Sequence, residues 1–256
     1  MSEAFFEPLG DGRFRSTAHT RGPWDPRSQH AGPPAALLGR ALERCEPRED
    51  MLLARLTFEI LAPVPVADLE LEARKVRPGR SVELLEAEMR ADGRTVMTVR
   101  GWRVLGARSP TAGVPQPPPP RPVEETPLPA EWETFGYGHA MELRFAAGGW
   151  DIPGPATAWS RLRVGVVAGE EPTGLQRVLA IADSGNGVAG VLPLSDYLYI
   201  NPELTVHVLR EPRGEWICLD ARTAIVEGAA GLARSTLSDE DGMVAAGAQS
   251  LLVAPR

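Results

Sequence analysis

The chain is 256 residues long, 43% hydrophobic and 24% charged, with a formal net charge of −7. That length houses one large hydrophobic core or two moderate ones, and an acidic chain with no run of basic residues lacks the electrostatic footprint of a nucleic-acid or polybasic membrane interface. No apolar stretch is long enough to span a bilayer, and Glu3 and Glu7 stand where a secretory leader needs a positive flank and an apolar run, so the expectation is a soluble, cytoplasmic protein.

Taken in chain order, the first element is a helix over 33–42, rich in Ala and Leu, with Pro33 and Pro34 in its opening turn where a missing N–H costs nothing. Its charges come late, which predicts a buried helix. Strands are expected at 52–61, 67–77, 81–90 and 94–104, with Pro78-Gly79 and Asp92-Gly93 as hairpin turns. A proline-rich stretch cannot hold ladder hydrogen bonds, so 107–129 reads as a linker between two domains, 1–106 and 130–256. Beyond it, Thr173 is an N-cap for a helix over 174–181, and strands follow at 198–209, 215–226, 230–238 and 243–253. A longer connection, 182–197, separates this second helix from its strands. The halves repeat: Leu56-Thr57-Phe58 followed by Leu71-Glu72-Ala73-Arg74 recurs as Leu204-Thr205-Val206 followed by Leu219-Asp220-Ala221-Arg222, at a constant offset of 148.

A long antiparallel sheet curled around one apolar helix, duplicated in tandem, resembles the double-hotdog arrangement. The local sequences sharpen the resemblance. His30-Ala31-Gly32-Pro33-Pro34, Val76-Arg77-Pro78-Gly79 and Ala91-Asp92-Gly93 are similar to the N-terminal half of acyl-CoA thioesterases of the thioesterase II type, and Leu204-Thr205-Val206-His207 with Asp241-Gly242 through Gln249 is similar to their C-terminal half. The resemblance implies an α+β tandem double hotdog, two antiparallel sheets joined as one continuous sheet, each wrapped around a central helix. It also implies hydrolysis of acyl-CoA or a related acyl thioester, with coenzyme A as part of the substrate and no separate cofactor. Hotdog sheets often pair with one another, so a homo-oligomer is an open possibility.

Thioester hydrolysis needs a held water on one side of the carbonyl and donors where negative charge develops. The resemblance implies an Asp at the second helix, a Ser or Thr early in the following strand and a Gln in the last strand. Asp183 and Gln249 fit the first and third; the second falls on Asn201, with Thr205 close enough to compete. An acid at a helix C-terminus opposes the macrodipole, and Gln249 is a lone amide in a small, apolar run, so both positions ask for a reason beyond packing. In the first half the resemblance sets Gly32 near the thioester oxygen, with the N–H groups of Ala31, Gly32 and Ala35 as donors and His30 positioning the loop or binding substrate. The four histidines lack metal-ligand spacing, and no Gly-x-Ser-x-Gly elbow is present. Trp24, Trp102, Trp150, Trp159 and Trp216 read as core or interface residues. The alternative from another class is an acyl-CoA or fatty-acyl binding protein whose hydrolytic site has decayed, in keeping with Asn in place of a hydroxyl and with the paired prolines.

Overall fold

The computed structural model describes residues 3–106 and 121–256, so most of the proline-rich stretch lies outside the described residues. The first half consists of β1 (Ala4–Gly10), β2 (Arg13–Ser16), α1 (Gly32–Arg44), β3 (Met51–Ile60), β4 (Asp68–Arg77), β5 (Val82–Ala91) and β6 (Arg94–Leu105). The second consists of α2 (Gly136–His139), β7 (Met141–Gly149), β8 (Ile152–Leu162), β9 (Gly165–Val167), α3 (Gly174–Ala182), α4 (Gly185–Val188), β10 (Tyr197–Ile200), β11 (Glu203–Val208), β12 (Ile217–Ile225), β13 (Gly231–Asp239) and β14 (Gly242–Pro255).

Local chemistry explains the elements that the sequence foretold. Ala35, Ala36, Leu37, Leu38 and Leu42 of α1 are fully buried, as the polar-free helix front required. Asp92 and Gly93 both take positive φ, 48° and 73°, the backbone of a two-residue hairpin turn whose twist suits the flanking strands. Two expectations are corrected. Among the described residues the main sheet takes six strands from the first half and seven from the second, not four from each, because a hairpin precedes each helix, β1–β2 in the first half and β7–β8 in the second, and the short β9 joins the far edge. The strand expected at 198–209 breaks at Asn201-Pro202 into β10 and β11, since proline has no N–H to give the ladder.

The strands form one continuous sheet in the order β7-β8-β12-β13-β14-β11-β3-β6-β5-β4-β2-β1-β9, antiparallel except where β9 crosses from the second half to lie parallel to β1. The halves meet at β11 and β3. There Thr205 stands opposite Thr57, with Leu204 opposite Phe58 and Val206 opposite Leu56. Thr57 and Thr205 are the same residue of the repeat, so the pseudo-twofold axis passes between their hydroxyls, which lie 3.3 Å apart. The tail of the proline-rich stretch is tied to β7: Thr126 N–H donates to Leu143 O at 2.8 Å and Phe145 N–H to Thr126 Oγ1 at 3.2 Å.

On the concave side α1 and α3 pack against each other in opposite directions, with Gly32 of α1 against the Ala180 carbonyl of α3. At the far end of the pair, Thr173 and Gln176 each donate to the Glu43 carboxylate at 2.8 Å. Beside them Arg40 grips Glu170 through two bonds of 2.7 Å. A bidentate guanidinium–carboxylate pair fixes orientation as well as distance.

Candidate active site

Asp183 is the C-cap of α3, and only 3% of it is exposed. Its Oδ1 accepts from Asn201 Nδ2 at 2.8 Å and from Gln249 Nε2 at 3.1 Å; the same Gln249 nitrogen donates to the Asp183 carbonyl at 3.0 Å. Each partner arrives for a local reason. Asn201 sits at the strand break that Pro202 enforces, and Gln249 lies on β14 opposite Ala233 of β13, reaching Asp183 from the core side. The N–H groups of Ala31 and Gly32, at the start of α1, also turn to the carboxylate. Burial pushes Asp183 up from 3.8 to about 7, against the opposing pull of these four donors.

His30 completes the cluster. Its Nδ1 accepts the Gly32 N–H at 3.1 Å and lies 3.3 Å from Asp183 Oδ2. Burial lowers its pKa to about 3, so the ring is neutral. The ring stacks on Tyr137 at 3.9 Å with the planes 2° apart, while the Tyr137 hydroxyl donates to Ala180 O at 2.9 Å and meets Ser184 Oγ at 2.8 Å. Asp183, Asn201 and His30 line a cavity of about 490 Å³ whose remaining wall is mostly apolar and includes Trp24, Trp132, Phe135, Trp150 and Tyr199. A chamber of that size and lining accepts an apolar group and leaves a few polar atoms to orient it.

The sequence profile of the acyl-CoA thioesterase N-terminal domain matches residues 20–104, and that of the acyl-CoA thioesterase C-terminal domain matches residues 115–253. This chain belongs to the acyl-CoA thioesterase family. Solved structures share its fold at low identity. A hotdog-fold protein of unknown function from Alicyclobacillus acidocaldarius is 20% identical, with a TM-score of 0.73 over 97% of this chain and 95% of its own. The acyl-CoA thioesterase II TesB2 of Mycobacterium marinum is 16% identical, with a TM-score of 0.69 over 98% and 95%. The tesB protein of Mycobacterium avium subspecies paratuberculosis is 16% identical, with a TM-score of 0.67 over 98% and 96%. Among curated protein sequences none matches this chain.

In this member of the thioesterase family, Asp183, Asn201, Gln249, His30 and Gly32 come together as one hydrogen-bonded cluster built from both halves. Thr205 does not join it: its hydroxyl meets Thr57 and Glu203, each at 3.3 Å, on the seam between the halves. We expect Thr205→Val to leave the kinetics within about two-fold of wild type, and Asn201→Ala to change them far more, as steady-state assays will read. The donors expected for the thioester oxygen are corrected. Ala31 and Gly32 turn their N–H groups to Asp183 and His30, and the Ala35 N–H donates within the helix to Ala31 O at 2.9 Å. A buried carboxylate at a helix N-terminus claims those donors first. The tryptophan reading also changes: Trp24 and Trp150 line the cavity, while Trp159 is buried in the sheet. Tyr137 and Trp132 carry no signal in their local sequence, because only the docking of the 121–140 segment brings them here.

Proposed function

We propose that the chain hydrolyses acyl-CoA, or a related acyl thioester, to the free acid and thiol, with Asp183 as general base. Coenzyme A enters as part of the substrate. Support comes from one observation above all: a buried carboxylate on the wall of an apolar cavity, clasped by two side-chain amides in a chain of this family. Water held between Asp183 and the Asn201 side chain attacks the carbonyl carbon and yields a proton to the carboxylate. The carbonyl oxygen becomes an oxyanion, for which the neutral His30 ring on the cavity wall is our candidate donor. Collapse breaks the C–S bond, and the proton on Asp183 passes to the departing thiolate. Gln249 acts through Asp183, holding the carboxylate by its Oδ1 and its backbone carbonyl.

Thiol release from a series of acyl-CoAs tests this reading. Activity that falls at least tenfold in Asn201→Ala, and likewise in Gln249→Ala, supports it. A second reading, an acyl-CoA binder without turnover, draws on the direct Asn201–Asp183 bond and on the helix donors turned away from the cavity. It prevails if no acyl-CoA is cleaved while one of them raises Tm.

A further inference from the structure

Tyr137 touches both sides of the reacting centre and takes no part in the bond-breaking steps. It arrives on the one-turn helix α2, where Gly136 lies so close to the first half that a Cβ would have no room against the Ala18 carbonyl oxygen. The Tyr137 N–H donates to Arg21 O at 3.0 Å, which seats the residue by its backbone. Its hydroxyl closes the end of α3. The Ser184 N–H, which a continuing helix would give to Ala180, bonds to Ile181 O at 2.9 Å instead, and the Ala180 carbonyl so left over accepts from Tyr137. A phenol has one proton to give, so Ser184 is the donor in the 2.8 Å bond between the two hydroxyls. The ring, meanwhile, lies flat on one face of His30, 3.9 Å away with the planes 2° apart.

We propose that Tyr137 is the positioning residue of the hydrolytic centre: its hydroxyl fixes the end of α3 that carries Asp183, and its ring holds His30 in place and shields it from water. It serves residues from both halves at once, His30 before α1 and Asp183 after α3. This rests on the reading of the cavity as a thioester site. Among the described residues, the titratable groups against the His30 ring are Asp183, with Oδ2 3.3 Å from Nδ1, and Tyr137 itself.

Two variants separate the hydroxyl from the ring. Tyr137→Phe keeps the stack and loses the bond to Ala180, whereas Tyr137→Leu loses both and opens a gap beside His30 that water can fill. We expect kcat for acyl-CoA hydrolysis to fall about fivefold in the first and about a hundredfold in the second, with KM within about twofold of wild type in both. Nitrogen NMR supplies a readout that needs no turnover, with His30→Gln assigning the signal. In wild type and in Tyr137→Phe the His30 ring shows no protonation shift between pH 5 and pH 8, because burial keeps it neutral. In Tyr137→Leu water reaches the ring, and its protonation moves up into that range. A merely structural role would lower Tm in the leucine variant and leave His30 neutral throughout, which overturns the proposal. So does a leucine variant that loses no more kcat than the phenylalanine one. If Tyr137→Leu does not fold, a wild-type kcat in Tyr137→Phe overturns the proposal by itself. A wild type that cleaves no acyl-CoA defeats the hydrolytic reading instead, and the NMR comparison still decides whether Tyr137 holds His30.

Discussion

On the proposed mechanism we expect Asp183→Asn to lower kcat for acyl-CoA hydrolysis by about three orders of magnitude, the scale of a lost general base. In wild type, kcat/KM should climb as pH rises through about 7, because only the ionised carboxylate accepts the proton of water and burial moves the ionisation of Asp183 up to that range. The same group leaves a mark on stability, and the sign follows from the direction of its shift. Unfolded, the carboxyl ionises near 3.8; folded, near 7, so the native state binds the proton more tightly. Its contribution is fully present below the unfolded value and is lost as pH rises through the folded one, a span worth about 4 kcal/mol at most. Asp183→Asn has no such proton to lose. Its Tm relative to wild type therefore rises between pH 5 and pH 8, read by thermal unfolding across that range. Parallel Tm curves for the two proteins would mean an ordinary carboxylate and a different base.

Gly32→Ala is the second large effect. A Cβ at this position would lie 2.2 Å from the Ala180 carbonyl oxygen and 3.1 Å from His30 Nδ1, and the first of these is backbone that cannot rotate aside. The helices must separate at their closest approach, at a cost of about 3 kcal/mol, or roughly 10 °C in Tm for a chain of this size. Activity falls as well, since the shift moves α1 away from the end of α3 that carries Asp183. Gly39 provides the control. Its Cβ would lie 2.2 Å from Leu179 Cδ1, the end of a side chain that can turn, so Gly39→Ala costs about 1 kcal/mol. Equal losses in the two variants would show that the Ala180 carbonyl gives way.

The contrast between β3–β6 and the hairpins before each helix explains what could be read in advance. Strands β3 to β6 largely interleave apolar with charged or polar residues and are punctuated by Pro78-Gly79 and Asp92-Gly93, so their limits fall within a residue or two of expectation. Strand β8, with its Gly, Ala and two prolines, has little strand preference of its own and is held by pairing with β12 and β7. No local signal announces that. In the site, Asp183, Asn201, Gln249 and His30 were legible through the resemblance, with the asparagine's competitor, Thr205, excluded only by the register that pairs it with Thr57. Which N–H groups face the carboxylate, and which aromatic rings wall the cavity, depend on how two helices and a distant segment dock. Those are facts of tertiary geometry.

The pseudo-twofold between Thr57 and Thr205 turns the start of α1 and the end of α3 onto the end of α1 and the start of α3, and the two places have become different things. One holds Asp183 with its amides; the other holds Arg40 on Glu170, and Glu43 under Thr173 and Gln176. In an assembly of two identical chains every substitution is written at both symmetric places at once, so a change that suits one must be tolerated at the other. Joining the copies in a single chain removes that coupling. One end of the helix pair is free to specialise in chemistry while the other specialises in clamping the halves together, and mutations at Glu170 or Glu43 can tune rigidity without rewriting the reacting centre.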